Sequence, residues 1–538
     1  LNPFFCAVDG VFGLILKIHK MRKNYVALFL FTMISAFSAK AQLEYKDVAS
    51  IFYAHCTSCH HEGQHAPSMM NYTEVYNLSY AIQMDLQSGK MPPWSPDTAY
   101  SRFVHERVIS QASKDSILNW ITGGAIQGDT TLAPAPPVYA QYQLYGTPDV
   151  VLQIPDYTST AGASDAYVCF SLPSGLTQDR ILRAFEIVPG NPAIVHHVIV
   201  NADTVGNTTT DLSGSCFNPP GNYGIGGYAP GAPPTVFPGQ FPFKAGISIK
   251  AGSNIIIQIH YPAGSAGQMD STKIRMFFYP INETGIRPIH ITTPLQNWGL
   301  YIPANNVATF TDTYPNNGTI PVDLSFFATF PHSHKICTSI VNYAASGADT
   351  IPLVKINQWD FNWQGFYTYP NLIKIPAGYK LYGEHVYDNT TNNPFNPHNP
   401  PVAVYAGTST NDEMFFDGYM WLTYEPGDES IDIASILAND PLLNNTTTGI
   451  NKSTMEARMD AYVYPNPASG KLNIQLSKKS EYKAHISTVT GQRVLETTSF
   501  IDNTQVDTKN IPTGVYIIDI IDSVTHTKIT KKIIISNN

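Results

Sequence analysis

Between about residues 145 and 430 the sequence is written in short β-branched and aromatic runs. Ile194-Val-His-His-Val-Ile-Val200, Asn254-Ile-Ile-Ile-Gln-Ile-His-Tyr261 and Lys273-Ile-Arg-Met-Phe-Phe-Tyr279 are typical, and loops rich in Gly and Pro, such as Pro219 through Gly239, separate them. Such side chains suit a pleated, half-buried surface, and the loops supply turns. Proline breaks helix interiors and central strands, so 40 prolines in 538 residues argue for many short strands over long helices. Only 14% of the residues are charged; Thr, Asn, Tyr, Gly and Pro fill the gap. A chain of this length exceeds one hydrophobic core and predicts about three or four domains. We therefore expect two consecutive antiparallel, jelly-roll-like β-sandwiches over 145–288 and 289–430, with the break near 285–292.

The flanks read differently. Residues 43–130 predict a small, compact helical domain: Asp47-Val-Ala-Ser-Ile-Phe-Tyr-Ala is amphipathic, and Asp115-Ser-Ile-Leu-Asn-Trp120-Ile is stopped by Gly123-Gly124. Residues 131–144, opening Thr-Leu-Ala-Pro-Ala-Pro-Pro-Val, form a stiff Pro/Ala linker. The polar stretch 431–459 reads as a second linker, and 460–538 as a small C-terminal β-sandwich. The whole is a multidomain, mainly β chain. At the other end Met21-Arg-Lys-Asn-Tyr and the apolar run Val26–Phe37 precede Ala39-Lys-Ala41, the pattern of a signal peptide over 21–41 with cleavage before Gln42. Residues 1–20 are either an over-extended gene start or an unusual long leader. The apolar run is too short to span a membrane and no later run of about 20 apolar residues replaces it, so the mature chain is expected to be secreted or surface-attached with no transmembrane span. A net charge of −9 without a basic run gives no sign of a nucleic-acid partner.

Export changes how the cysteines read. Cys56-Thr-Ser-Cys59-His60 places two thiols where each can add to a haem vinyl group, with His60 next in line for the iron. A zinc knuckle needs further Cys/His ligands at defined spacing, and there is no second CxxC. The word predicts one covalently bound haem c, held by Cys56 and Cys59, with His60 axial. Met91, in Gly89-Lys-Met-Pro-Pro-Trp94, is the preferred sixth ligand; Met69, Met70 and Met84 compete. Cys6 precedes the signal, which leaves Cys169, Cys216 and Cys337. An oxidising compartment permits one disulfide among them; Cys169 with Cys216 is the preferred pair, although spacing alone does not establish it.

Four further words carry metal-binding side chains: His196-His197, His260, His332-Ser-His334 and Met414. Imidazole and thioether donors suit copper. Each word alone has a plainer explanation. Adjacent histidines on a regular strand face opposite ways, so joint ligation by His196 and His197 needs a bulge, a twist or a strand end. His260 shares a face with Gln258 and Ile256, where a lone histidine is more often a hydrogen-bonded core residue. His332 and His334 share one side of a strand, but taken alone, a pair of surface histidines and a core methionine is the favoured reading.

Their order decides. His-His, a strand-borne His, His-x-His and Asp412-Glu-Met414 resemble the pattern of the copper type II, ascorbate-dependent monooxygenases, the family of dopamine β-monooxygenase and peptidylglycine α-hydroxylating monooxygenase. Pro189-Gly-Asn191, Gln258-Ile-His-Tyr261, Tyr387-Asp-Asn389 and Gly407 through Met414 extend the resemblance over about 145–430. It implies two copper ions: an electron-transfer site on His196, His197 and His260, and an oxygen-binding, catalytic site on His332, His334 and Met414. The Met91-Pro-Pro-Trp94 stretch resembles short cytochrome c-like modules fused to such enzymes. Phe415 stands where relatives commonly carry a cysteine, and the family's substrate-anchoring residues do not carry over. The implied reaction is hydroxylation of a C–H bond in a small organic substrate by O₂, with electrons from an external ascorbate-type donor or relayed by the haem. The alternative is a surface electron-transfer or copper-binding protein without hydroxylase activity; a third reading, sandwiches that merely display a cytochrome, expects no copper.

The tail carries Tyr464-Pro-Asn-Pro-Ala468, Val489-Thr-Gly-Gln492, Ile511-Pro-Thr-Gly-Val-Tyr516 and a basic last strand. It looks like the C-terminal sorting domain of type IX secretion substrates, which implies the type IX machinery as partner. An ordinary β-sandwich binding module is the other reading.

Overall fold

The computed structural model describes residues 42–64, 66–140, 142–217, 219–444, 461–476, 479–489, 491–524 and 528–537. The expected signal peptide and the residues before it lie outside this range. Among the described residues, no helix is long and apolar enough to cross a membrane.

The chain divides into two compact units, the smaller formed within residues 1–62, 66–92 and 108–138. Its described part is helical, with helices Tyr45–His55, Tyr72–Asn77, Ser79–Ser88 and Gln111–Thr122. Glu44 and Asp47 open the first in a reciprocal capping box, which satisfies two backbone donors that a helix start leaves free. Tyr45, Val48, Ala49 and Phe52 recur at i, i+3, i+4 and i+7 and turn one face into the core. There they meet Val75, Ile82, Leu86, Ile117 and Trp120.

The helical stretch is shorter than its sequence suggests. Residues 93–107 belong to the larger unit, so the expected single domain over 43–130 is interrupted. Asp97 N donates to Lys355 O at 2.7 Å and Val104 N to Thr368 O at 2.7 Å. Trp94 and Phe103 both lie against Tyr367, with ring centroids 5.5 and 5.4 Å away. Trp94, read in the sequence as part of one turn with Met91, is therefore a packing residue of the second sandwich.

In the larger unit, two pairs of sheets follow one another. The first pair joins a seven-stranded sheet, whose main path runs Val150–Gln153, Lys273–Phe278, Arg180–Val188, Phe243–Ile249 and Ile286–Pro288, with a four-stranded sheet ordered Ala166–Pro173, Asn254–Tyr261, His197–Asp203, Tyr223–Tyr228. Phe185 and Ile247 from one sheet and Val198 and Ile257 from the other share a core. The second pair has four strands in each sheet: His290–Gln296, Phe416–Thr423, Leu324–His332, Tyr367–Ile375 against Asn306–Tyr314, Lys380–Asn389, Cys337–Ser346, Asp349–Ile356. Between the two pairs lies the fully buried Ile289.

One sheet of the second pair is buried on both faces. Phe326, Tyr369 and Tyr419 enter the second core, while Phe327, Leu372, Met420 and Leu422 enter the first. The apolar interior is therefore continuous across the junction. Residues 431–444, expected as linker, join it: Ile433, Ile436 and Leu437 of the helix Ile433–Ala438 are buried in the first core, and Arg183 pairs with the buried Asp440 at 2.8 Å. Leu144, placed in the Pro/Ala linker, is buried there too. The tail has its own core between a three-stranded sheet, Ala461–Tyr464, Lys471–Leu476, Asn503–Asp507, and a five-stranded one that includes Glu481–Thr488, Gly514–Asp522 and Lys528–Ile535.

Candidate metal centres

On the strand Asn254–Tyr261, Ile255, Ile257, Ile259 and Tyr261 point into the first core, because side chains alternate along a strand. Ile256, Gln258 and His260 therefore share the opposite face. Antiparallel register sets His260 beside His197 on one side and Tyr167 on the other. His196 escapes the alternation by lying just before the strand His197–Asp203, where its N–H donates to His260 O at 3.0 Å. A strand end thus lets two adjacent histidines turn to one point.

The geometry is compact. The Nδ1 of His197 lies 3.2 Å from His196 Nδ1 and 3.3 Å from His260 Nδ1. Among the described residues, this is the group of three His, Cys, Asp or Glu whose ligand atoms converge, all within 4.8 Å of one another. Nitrogens about 2.0 Å from a common ion and tetrahedrally arranged stand about 3.3 Å apart, so the spacing fits a metal. Burial, with His260 nearby, holds His196 down to about 4, and burial drives His197 well below its ordinary value. Both are neutral at pH 7, the form that binds metal. Asp165 Oδ2 lies 3.2 Å from His260 Nε2, a charge contact without hydrogen-bond alignment, and its approach to His260 holds the Asp165 carboxyl well below the usual carboxylate range.

One side of the group is covered. Tyr167 stacks on His260 at 4.3 Å and 7°, and Phe217 packs on Tyr167 at 5.0 Å. Phe217 follows Cys216, which forms a disulfide with Cys169 on the strand beside Gln258. Cys337 is a buried free thiol.

The second group forms at strand ends. Leu324–His332 pairs with Phe416–Thr423 so that His332 faces Phe416. His334 follows two residues after His332, and Met414 stands two residues before Phe416, at the ends of these paired strands. The His332 and His334 rings are 5.2 Å apart and nearly perpendicular. His332 Nδ1 lies 2.6 Å from Gln364 Oε1 and His334 Nδ1 lies 3.1 Å from Asp412 O. Both acceptors require a proton on Nδ1, which leaves Nε2 of each ring for a metal. Burial lowers His332 and, with His332 beside it, brings His334 to about 3.

A buried polar network holds the methionine. Met414 O accepts from Ser333 Oγ at 2.6 Å and from Tyr387 Oη at 2.9 Å. Glu413 accepts from the N–H of His334 and of Ile336 at 2.9 and 2.8 Å, and burial pushes its carboxyl up to about 7. Tyr387 also contacts His385 Nδ1 at 3.2 Å, and His385 Nε2 meets Asp417 at 3.0 Å. Phe415 stacks on His385 at 3.9 Å. Phe415 is thus an aromatic brace beside Met414. Asp165, Gln364, Glu413 and Tyr387 were not singled out by sequence as site residues. The last two lie inside phrases that carry the family resemblance; the first two have no spacing signal.

In the helical unit, Cys56 caps the first helix, and the N–H groups of Cys59 and His60 return to Cys56 O at 3.1 and 3.0 Å. The thiols of Cys56 and Cys59 are unpaired, and burial pushes Cys56 up to about 12. His60 Nδ1 lies 2.8 Å from Pro67 O, which leaves Nε2 for an iron. Of the competing methionines, Met69 is 8% exposed in the core and Met84 is 49% exposed on the surface. Met91 is partly buried in the turn after Ser79–Ser88, with its N–H on Asp85 O at 3.3 Å.

No curated protein matches the chain. Among solved structures, PorZ, a bacterial surface component of the type-IX secretion system of Porphyromonas gingivalis, is 17% identical with a TM-score of 0.13; the match covers 24% of this chain and only 14% of PorZ. The BSP domain of a biofilm associated protein is 10% identical over 71% of this chain and 82% of that one, with a TM-score of 0.14. Infectious bursal disease virus VP2 is 10% identical over 52% and 82%, also at 0.14. Likenesses at this level carry no argument about fold or activity. Residues 462–536 match the family model described as the secretion system C-terminal sorting domain, so the chain ends in a type IX sorting tail that directs it to the cell surface or the medium.

Proposed function

We propose that this protein is a secreted, copper- and O₂-dependent monooxygenase that hydroxylates a C–H bond of a small organic substrate, with the haem module as electron relay. The observation that carries the reading is the convergence of one ring nitrogen each from His196, His197 and His260 on one partly buried point. The His332, His334 and Met414 words assembled at neighbouring strand ends add to it. The reaction balances as R–H, O₂, two electrons and two protons giving R–OH and water, with an external ascorbate-type compound as the electron source. When bound, copper at each site would supply one of the two electrons, and haem c on Cys56, Cys59 and His60, with Met91 as sixth ligand, would relay electrons from the donor.

The chain's own residues do the rest. His196, His197 and His260 offer an all-nitrogen set that can hold an ion through a change of charge. His332 and His334, with Nδ1 fixed by Gln364 and Asp412, present Nε2, and Met414 adds a soft donor that favours Cu(I). Tyr167, Phe217 and the disulfide-pinned loop cover one side of the first set. The motive for the relay is the covalent fusion of the two modules.

Oxygen uptake by the purified, metal-loaded protein tests the proposal, using ascorbate as donor and a panel of organic substrates. One hydroxylated product per O₂ consumed supports it. Metal sites that reduce and reoxidise while no substrate is hydroxylated would leave a surface electron-transfer or copper-binding protein.

A further inference from the structure

In one loop, Trp359 through Gln364, three residues reach histidines of the two groups. The loop crosses from Asp349–Ile356 to Tyr367–Ile375, from one sheet of the second pair to the other. Trp359 Nε1 donates to His334 O at 3.0 Å. Gln364 Oε1 meets His332 Nδ1, while Gln364 Nε2 donates back to Phe361 O at 2.8 Å. Phe361 lies between the groups: its ring is stacked on His196 at 5.7 Å and 17°, and it stands edge-on to His334 at 5.8 Å and 88°.

This loop belongs to the second pair of sheets, whereas His196 belongs to the first. The Phe361–His196 contact therefore crosses the junction at the point where the two histidine groups approach. Internal bonds stiffen the loop: Trp359 N to Thr338 O at 2.8 Å, Trp363 N to Asp360 O at 2.9 Å and Asn362 N to Asp360 Oδ1 at 2.9 Å. An aromatic ring has few torsions and makes many weak contacts over a flat face. Held on such a loop it acts as a spacer of fixed thickness.

We infer that Phe361 is a positioning residue, a wedge that fixes the approach of His196 to His334. Its purpose rests on the monooxygenase reading, in which two redox sites must be held at one separation; the wedge itself is measurable without any metal. The continuous core and the Asp165–Thr410 hydrogen bond of 3.1 Å across the same junction remain when the ring is removed, so a Phe361→Ala chain is expected to fold.

The test is a distance distribution by pulsed electron paramagnetic resonance on the full, metal-free chain, with Cys56 and Cys59, whose thiols would also take label, replaced by serine. Nitroxide labels are attached through Val205→Cys and Val307→Cys, at positions 70% and 60% exposed in the first and second pair of sheets. The parent is expected to show one narrow distance. Phe361→Ala is expected to lose that narrow peak while keeping the parent's thermal midpoint, and Phe361→Tyr to regain it. Should the alanine chain unfold, Phe361→Leu, which keeps bulk without the flat ring, is read in its place. A narrow peak that persists in the Ala or Leu variant, or a Tyr variant that behaves like Ala, overturns the inference. Copper titration of the same parent is read separately: no uptake would refute the monooxygenase reading and leave the wedge decided by the labels.

Discussion

The two histidine groups are built by opposite means. His196, His197 and His260 stand on the outer face of a sheet, fixed by strand register and by one backbone bond, with a disulfide-pinned loop over them. His332, His334 and Met414 stand where strands end, and side-chain and carbonyl acceptors fix them: Gln364 on one ring, Asp412 O on the other, Ser333 and Tyr387 on the methionine's carbonyl. Sheet register gives a rigid set of like donors. Strand ends give a mixed set whose orientation depends on its hydrogen bonds. On the proposed reading, that is the division between a site that stores an electron and one that meets O₂ and substrate.

The contrast can be broken from either side. The largest effect is expected from His197→Ala, since its Nδ1 stands between the other two: copper uptake should fall by one ion per chain with the second site intact. Equal loss from both sites would show that the groups are not independent. Next in size, Cys216→Ser should destabilise the first pair of sheets by about 2–4 kcal/mol in denaturant unfolding, as loss of a disulfide across a loop of this length does. It should also weaken copper only at the first group. Asp165→Asn and Gln364→Leu sharpen the comparison further, because each removes a partner of one ligand ring. Titration with a competing chelator should show about 10–100-fold weaker copper at the first and the second group respectively.

The smallest effect concerns Glu413. Its folded pKa of about 7 lies above the roughly 4.3 of an unfolded glutamate, so the native metal-free chain holds that proton more tightly. The stabilisation is complete below about pH 4.3 and is lost as pH rises through about 7. Glu413→Gln should flatten the stability profile across that window while leaving the first group untouched.

Legibility followed the same contrast. The alternating runs around His197 and His260 carry strand and face in the spacing itself, so the first group could be assembled from sequence once a strand end was allowed for His196. The ordered words and the phrases around them also held Glu413 and Tyr387. Phe361 touches histidines on both sides of the junction, while Gln364 and Asp165 reach His332 and His260 from loops distant in sequence, and no periodicity reports such contacts. Trp94 misled because Met91-Pro-Pro-Trp94 reads as one turn, whereas its tryptophan belongs to another core. The helix Ile433–Ala438 did carry a signal, apolar residues at i, i+3 and i+4, but so short a run is lost among polar neighbours.

The central claim is that the chain carries two separate copper centres beside its haem. Metal content with visible absorption, measured on the exported protein and on His197→Ala and Met414→Ala, tests it most directly. The account predicts one haem and two coppers per chain, with one copper lost in His197→Ala and one weakened or lost, chiefly as Cu(I), in Met414→Ala. One haem with no copper would contradict it and leave a surface cytochrome borne on β-sandwiches.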